Sequence, residues 1–426
     1  MRWWRQSICF PVIFFIVTTY VDRASAATLV NGANQTGIIF TNTVADSYTF
    51  AANTGDSINL RLGTTNFFGE LQLYGPNATL LATVGSYPVK DDLIAYTATN
   101  IGTFTVLVSS YEPSGTGTYA LHLAQIPEAF IVPAGDEGGA MTNGGNFTGT
   151  ITLGDLDIWT FSANTGDSIN LRLGTTNFFG ELQLYGPNGA LLATVGQYPV
   201  NDDLIAYTAT NTGIFTVLVS DVYGGETGTY ALHLAQMPEP FIVPAGDEGG
   251  AMTNGGNFTG TISLGDLDMW TFTAHTGDAV NLELKTTNFF GKLQLYGPNG
   301  ALLETVGAFA VKDDLLAYTA TNSGAFTVLV SDVYGGSTGA YGLTANGIFD
   351  VLKLFSPVIS GTNLMLKGVG GTTNATFILY STTNITTPWG LWTPVLTNHF
   401  DQFRAFNYTN GYNPAQSQKY FRFVVP

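Results

Sequence analysis

The residues best placed to do chemistry are carboxylates. Asp155 and Asp157 lie two apart, so on an extended strand both would face one side. Asp266 and Asp268 repeat the pair, and Asp136-Glu137 and Asp247-Glu248 stand a short way before each. A hard cation such as calcium takes about six to eight oxygens, which carboxylates and loop carbonyls supply. These eight acids are therefore candidate calcium ligands. Upstream, Asp46 is the only counterpart, and Val44 stands where the first aspartate of the pair would be. Calcium is thus expected at two places and not a third, and solubilising turn acids are the alternative. A second acidic pair, Asp91-Asp92, Asp202-Asp203 and Asp313-Asp314, precedes the runs Leu-Ile-Ala-Tyr or Leu-Leu-Ala-Tyr, and reads as a loop before a strand.

Hydrolysis needs a nucleophile with a base, or a metal with an activated water. The histidines are His122, His233, His275 and His399, and no His-Glu-x-x-His, Gly-x-Ser-x-Gly or phosphate loop is present. His122 and His233 hold equivalent positions, where a third copy has Thr344; His275 replaces Asn53 and Asn164. All four read as strand or surface residues, so no catalytic residue and no enzyme is expected. Paired carboxylates would serve a glycosidase only inside a cleft. Exposed rings are a further means of gripping a ligand, since each offers a flat apolar face. Phe68, Phe179 and Phe290 are the candidate ligand-binding residues, expected to point outward while Phe67, Phe178 and Phe289 point inward. Tyr87, Tyr198 and Phe309 recur near them, and packing under a loop is the plainer reading of all six.

The elements that position these residues follow from composition and repetition. The chain has 426 residues and a net charge of −17, with 11% charged, 45% hydrophobic and 13% aromatic residues and one cysteine. Nucleic-acid binding is excluded for want of clustered Lys and Arg. Disorder is excluded by the apolar content, and a disulfide framework by the single thiol. Residues 1–26 read as a secretory signal: Arg2 and Arg5, an apolar run from Ile8 to Val21, and Ala24-Ser25-Ala26 as the cleavage site. The run is short for a membrane anchor. Loss of Arg2, Arg5, Arg23 and Asp22 with the signal takes the charge from −17 to −19, and Cys9 leaves too.

Asn-Phe-Phe-Gly begins at Asn66, Asn177 and Asn288, and Leu-Gln-Leu-Tyr-Gly-Pro-Asn at Leu71, Leu182 and Leu293, a period of 111 residues. Between 46–125 and 157–236, 65 of 80 positions are identical. So recent a duplication makes the differences between copies more informative than the similarities. Ile58–Leu62 and Glu70–Leu73 alternate, Gly75-Pro76-Asn77 marks a turn, and Phe104–Val108 suits a strand covered on both sides. If Arg61 faces Glu70 across a hairpin at Thr65-Asn66, then Leu60 faces Leu71. The pair becomes Arg172 with Glu181 and then, reversed, Glu283 with Lys292, as solvent-facing neighbours would allow. Pro127–Gly139 recurs from Pro238 as a linker, stiffened by prolines and loosened by glycines.

The repeats resemble the bacterial pre-peptidase C-terminal (PPC) domain. The resemblance is carried by Gly154-Asp155-Leu156-Asp157-Ile158-Trp159-Thr160-Phe161, Thr165-Gly166-Asp167, Leu182 to Gly189, Tyr207-Thr208-Ala209, Gly213 to Val219 and Gly228-Thr229-Tyr230-Ala231-Leu232. It implies secreted β-sandwich modules, found behind peptidases or in arrays on extracellular proteins. Some relatives bind collagen, and in those, linker and sandwich carboxylates together hold calcium. No peptidase domain accompanies the modules in this sequence. Residues 347–426, with Gly361-Thr362-Asn363-Leu364, Trp392-Thr393-Pro394-Val395 and Gln418 to Phe423, resemble a small β domain that closes exported proteins of Verrucomicrobia-type bacteria.

The expected fold is all-β: tandem antiparallel, jelly-roll-like β-sandwiches at 27–129, 130–240 and 241–346, then a smaller β domain at 347–426. The expected function is secreted, non-catalytic binding or adhesion to an extracellular polysaccharide or protein polymer, or to the cell surface. An elongated monomer is expected, with no nucleic-acid partner and no membrane insertion once the signal is cleaved. The alternatives are a ligand-free spacer or accessory subunit of an exported hydrolase system, and a hydrolase with an unrecognised site.

Overall fold

The computed structural model describes residues 26–40, 45–196, 198–348, 353–371, 374–401, 405–411, 413 and 418–425. The signal sequence (save Ala26) and Val44 lie outside them. The fold is all-β. In the first copy the strands are β1 (Ala27–Thr28), β2 (Asn34–Ile39), β3 (Asp46–Ala52), β4 (Ser57–Thr64), β5 (Gly69–Tyr74), β6 (Leu80–Val84), β7 (Asp91–Thr97), β8 (Gly102–Ser110) and β9 (Gly117–Ile126). They form a five-stranded sheet, β1-β3-β8-β5-β6, over a four-stranded sheet, β2-β9-β4-β7. Copies two and three repeat both sheets. Period-two alternation turns Leu60, Leu62, Leu71, Leu73, Phe104, Val106 and Leu121 into one core between the sheets.

Three expectations are corrected. First, β4 pairs with β7 and β9, while β5 pairs with β6 and β8, so the connection at Thr65-Asn66 crosses between sheets and is not a hairpin. Alternation alone does not distinguish these cases, because either path sends the same side chains to the core. Arg61 is therefore not opposite Glu70, and it is buried rather than solvent-facing. Second, the linker glycines are not loose. Gly138–Ala140 adds a short parallel strand beside Asp157–Ala163. There Gly138 adopts φ +141, and a Cβ would lie 2.5 Å from the Ile158 carbonyl oxygen. The upstream half is held as well: Asn31 donates through Nδ2 to the carbonyls of Gln125, Glu128 and Ala129. Third, the second acidic pair begins β7 and its equivalents and does not lie in a loop.

The copies stack sheet on sheet. The four-stranded sheet of one copy packs on the five-stranded sheet of the next, so β4 is buried at all eight positions. In the third copy, which has no further sandwich after it, the equivalent Ala279–Thr286 alternates buried and exposed. The reverse holds at the other end. Gly213–Asp221 is buried along most of its length, whereas β8 alternates. The expectation that this strand is covered on both sides thus fits copy two and not copy one. The tail carries two small sheets and a core around Phe377, Phe400 and Phe406.

Candidate functional site at the junctions between copies

Each junction combines positions where the copies differ with positions all three share, such as those of Tyr185, Leu218, Asn59 and Asp91. At the first, Ala124 and Ile126 of copy one pack with Leu156, Ile158, Tyr185 and Leu218 of copy two, joined by Phe130 from the linker. At the second, Ala235 and Met237 meet Leu267, Met269, Tyr296 and Leu329. Ser57 Oγ donates to the Gly189 carbonyl at 2.7 Å, and Asn59 Nδ2 to Tyr185 Oη at 3.2 Å. Arg61 Nε donates to Asp91 Oδ1 at 2.6 Å, and its Nη2 lies 3.9 Å from Asp221 Oδ2 of copy two. Asp91 Oδ2 accepts the Gly154 amide at 3.0 Å. At the second junction Arg172 repeats the pair with Asp202 and reaches the Asp332 carbonyl at 3.0 Å. Backbones meet so closely at Gly63 that a Cβ would sit 2.4 Å from the Leu153 carbonyl carbon.

Copy three carries Ala279, Glu283, Lys285, Thr344 and Asn346 where copy two has Ser168, Arg172, Gly174, His233 and Ala235. Copy one carries Ser47, Ala78 and Ser110 where copy two has Ile158, Gly189 and Asp221. Both outer faces of the stack lack several of the groups that bind a neighbour. This replaces the charge-swap reading: among the described residues no further sandwich packs on Glu283, which pairs with Lys285 at 2.7 Å on the surface. Nor is attraction preserved at Lys292, whose pKa is lowered by burial and by Arg172 across the junction.

The candidate metal residues gather here together with a residue the sequence reading set aside. His122, Asp136 and Asp155 each bring a ligand atom within 4.8 Å of the others, as do Asp136, Glu137 and Asp157. His233, Asp247 and Asp266, with Glu248 and Asp268, repeat this. The histidine comes from one copy, Asp136-Glu137 from the linker, and Asp155 and Asp157 from the next copy. Asp155 precedes the strand instead of sharing its face with Asp157. His122 and His233 lie on strands, one half of what was expected of them, and are buried there, each about 1% exposed. Their signal in the sequence was the change to Thr344 in the one copy that no linker acids follow. Asp46 has no such company among the described residues; it accepts from Tyr119 Oη at 2.6 Å.

Asp157 Oδ2 accepts from Tyr230 Oη at 2.6 Å, while Oδ1 has no partner. Burial, then the charge of Asp155, pushes the Asp157 carboxyl up to about 9, and Asp268 responds likewise to burial and Asp266. A calcium cage wants oxygen on all sides. At each junction one group, Asp136, Glu137 and Asp157 or Asp247, Glu248 and Asp268, is all-carboxylate and offers the oxygen donors calcium takes, and the other adds an imidazole nitrogen.

The candidate aromatics form a separate feature. Phe67, Phe178 and Phe289 are buried as expected. Phe68, Phe179 and Phe290 are half-buried, each under a more exposed ring. Phe68 lies 4.8 Å from Tyr87, Phe179 4.9 Å from Tyr198, and Phe290 5.1 Å from Phe309. Tyr223 and Tyr334 extend the second and third groups at 6.4 and 6.1 Å. Tyr87, Tyr198 and Phe309 are 67%, 63% and 68% exposed.

Residues 155–221 match the bacterial pre-peptidase C-terminal domain. No curated protein sequence matches the chain. Among solved structures, tripeptidyl peptidase 2 is 9% identical with a TM-score of 0.18, over 92% of this chain and 37% of that one. The chain thus spans just over a third of that peptidase. The BSP domain of a biofilm-associated protein is 8% identical with a TM-score of 0.13, over 94% of both chains. Among the described residues, no helix is long and apolar enough to cross a membrane.

Proposed function

We propose that this is a secreted, non-catalytic protein that binds an extracellular polysaccharide through its repeated aromatic groups. The observation that carries the reading is that each sandwich exposes a ring, Tyr87, Tyr198 or Phe309, resting on a half-buried phenylalanine. A ring supported from below is held ready to stack, and little side-chain entropy is lost when a sugar settles on it. The match of the second copy to the pre-peptidase C-terminal domain supports an extracellular setting. Three weak sites on one chain gain avidity for a polymer, by about 10²–10⁴ over one site.

Co-sedimentation with insoluble polysaccharides tests this. The chain is expected to pellet with at least one of them, and Tyr87→Ala, Tyr198→Ala and Phe309→Ala combined are expected to abolish pelleting while leaving the fold intact by circular dichroism. Failure on every polysaccharide would favour the spacer reading, and retention on collagen alone would move the ligand class to protein.

A further inference from the structure

The tail differs in sign from the rest of the chain. Residues 347–426 hold five Lys and Arg against two Asp and no Glu, a net charge of +3, while residues 1–346 carry −20. An anionic polymer repels so acidic a body, and the tail is the part suited to approach one. Within the tail, Thr376–Thr382 is the central strand of a three-stranded sheet, between Thr393–His399 and Tyr420–Val424. Its alternation sends Phe377 and Leu379 into the tail core and Ile378, Tyr380 and Thr382 to the other face. Tyr380 stands directly opposite Arg422 of the neighbouring strand. The short turn Trp389–Leu391 meets this pair. Trp389 packs edge to face on Tyr380 at 4.7 Å, and the Arg422 guanidinium carbon lies 4.1 Å from the centre of the Trp389 ring. Trp392 lies 6.3 Å from Trp389 and donates through Nε1 to the Thr387 carbonyl at 2.9 Å. Asn384 Oδ1 accepts from both the amide and the hydroxyl of Thr386, so the segment before the turn is held in place.

Arg422 is unlike Arg61 and Arg172, which are buried and paired with aspartates. It is exposed, and among the described residues no carboxylate pairs with it. Its N–H donors lie in the guanidinium plane, so stacking on Trp389 orients the plane without using them. Such a planar fork matches a carboxylate. The exposed side chains of Trp389 and Leu391 beside it offer apolar surface to a sugar ring. We propose that this face of the tail is a binding site for a uronate unit of an anionic polysaccharide, with Arg422 taking the carboxylate and Trp389 and Leu391 the sugar ring. The site is separate from the ring groups of the sandwiches and does not depend on them.

The test is affinity electrophoresis of the full chain in gels carrying polygalacturonate, methyl-esterified polygalacturonate, or a sulfated dextran of equal charge density. Each measurement is repeated on the chain carrying Tyr87→Ala, Tyr198→Ala and Phe309→Ala, which removes the sandwich rings. Polygalacturonate is expected to retard both chains. The esterified polymer keeps the sugar and loses the charge, and is expected not to retard the triple variant. Adding Arg422→Ala to the triple variant is expected to weaken binding by about tenfold or more, and Arg422→Lys to restore it only in part, since an ammonium is a point charge. Should the Arg422 variants misfold, the esterified polymer reads out the same claim on the unaltered tail. No retardation by polygalacturonate, equal retardation of the triple variant by the esterified polymer, equal or tighter binding of the sulfated dextran, or full binding by a folded Arg422→Ala chain would each overturn the proposal. Loss of polygalacturonate binding in the triple variant would assign it to the sandwiches and overturn the proposal as well.

Discussion

At the residue scale, the buried arginine shows how context sets the role of a side chain. Arg61 and Arg172 are each 2% exposed and paired with an aspartate that also caps a glycine amide of the next copy. Removing one partner leaves the other charge buried and alone. Arg61→Ala is therefore expected to cost about 3–5 kcal/mol in urea unfolding, whereas Glu283→Ala on the bare face is expected within about 0.5 kcal/mol of the parent. Asp92 and Asp203 behave oppositely. Burial, then the neighbouring Asp91 or Asp202, raises each carboxyl to about 6, and Asp92 Oδ2 and Asp203 Oδ2 have no partner. Each binds its proton more tightly folded than unfolded. The stabilisation is present below an ordinary carboxyl pKa of about 4 and is lost as pH rises through about 6. Asp92→Asn with Asp203→Asn should therefore stabilise the protein at pH 8, by on the order of 1–2 kcal/mol per site after solvent screening, and change little at pH 4. Thermal melts at the two pH values check this; equal effects at both would remove the explanation. The sequence displayed the acids and the arginines but not their burial, which depends on the neighbouring copy.

At the element scale, the strands and their inward faces were legible because alternation in Ile58–Leu62 and Glu70–Leu73 reports burial directly. Pairing was not, since the turn at Thr65-Asn66 reads the same whether it closes a hairpin or crosses to the other sheet. The linker was misread for a related reason: glycine marks both loose chain and tight backbone approach, and only the strand beside Gly138 decides between them. The junction explains why β4 is buried on both faces while its third copy is not. Gly63→Lys, the residue copy three uses at this position, is expected to open the first junction. Limited proteolysis within Pro127–Gly139 should become fast, and small-angle scattering should show a longer, less rigid particle. Lys285→Gly should change neither.

At the scale of the whole molecule, the copies form a stack with altered ends. Ser47 and Ser110 remove an apolar group and an acid from the first face, and Glu283 and Lys285 charge the last. These are the changes expected of terminal repeats, which must face water instead of a neighbour. They were visible as sequence differences but had no meaning until the faces were known. The stack fixes the spacing of the aromatic groups, and this is the link to function. A flexible string of sandwiches would bind a polymer at independent sites; a stack presents its rings at set intervals. The most direct test is retention on the polysaccharide the chain pellets with, measured for variants lacking one, two or three of Tyr87, Tyr198 and Phe309. The account predicts that affinity falls with each ring removed, by roughly tenfold or more per step, until none remains. Retention unchanged in the triple variant would contradict it.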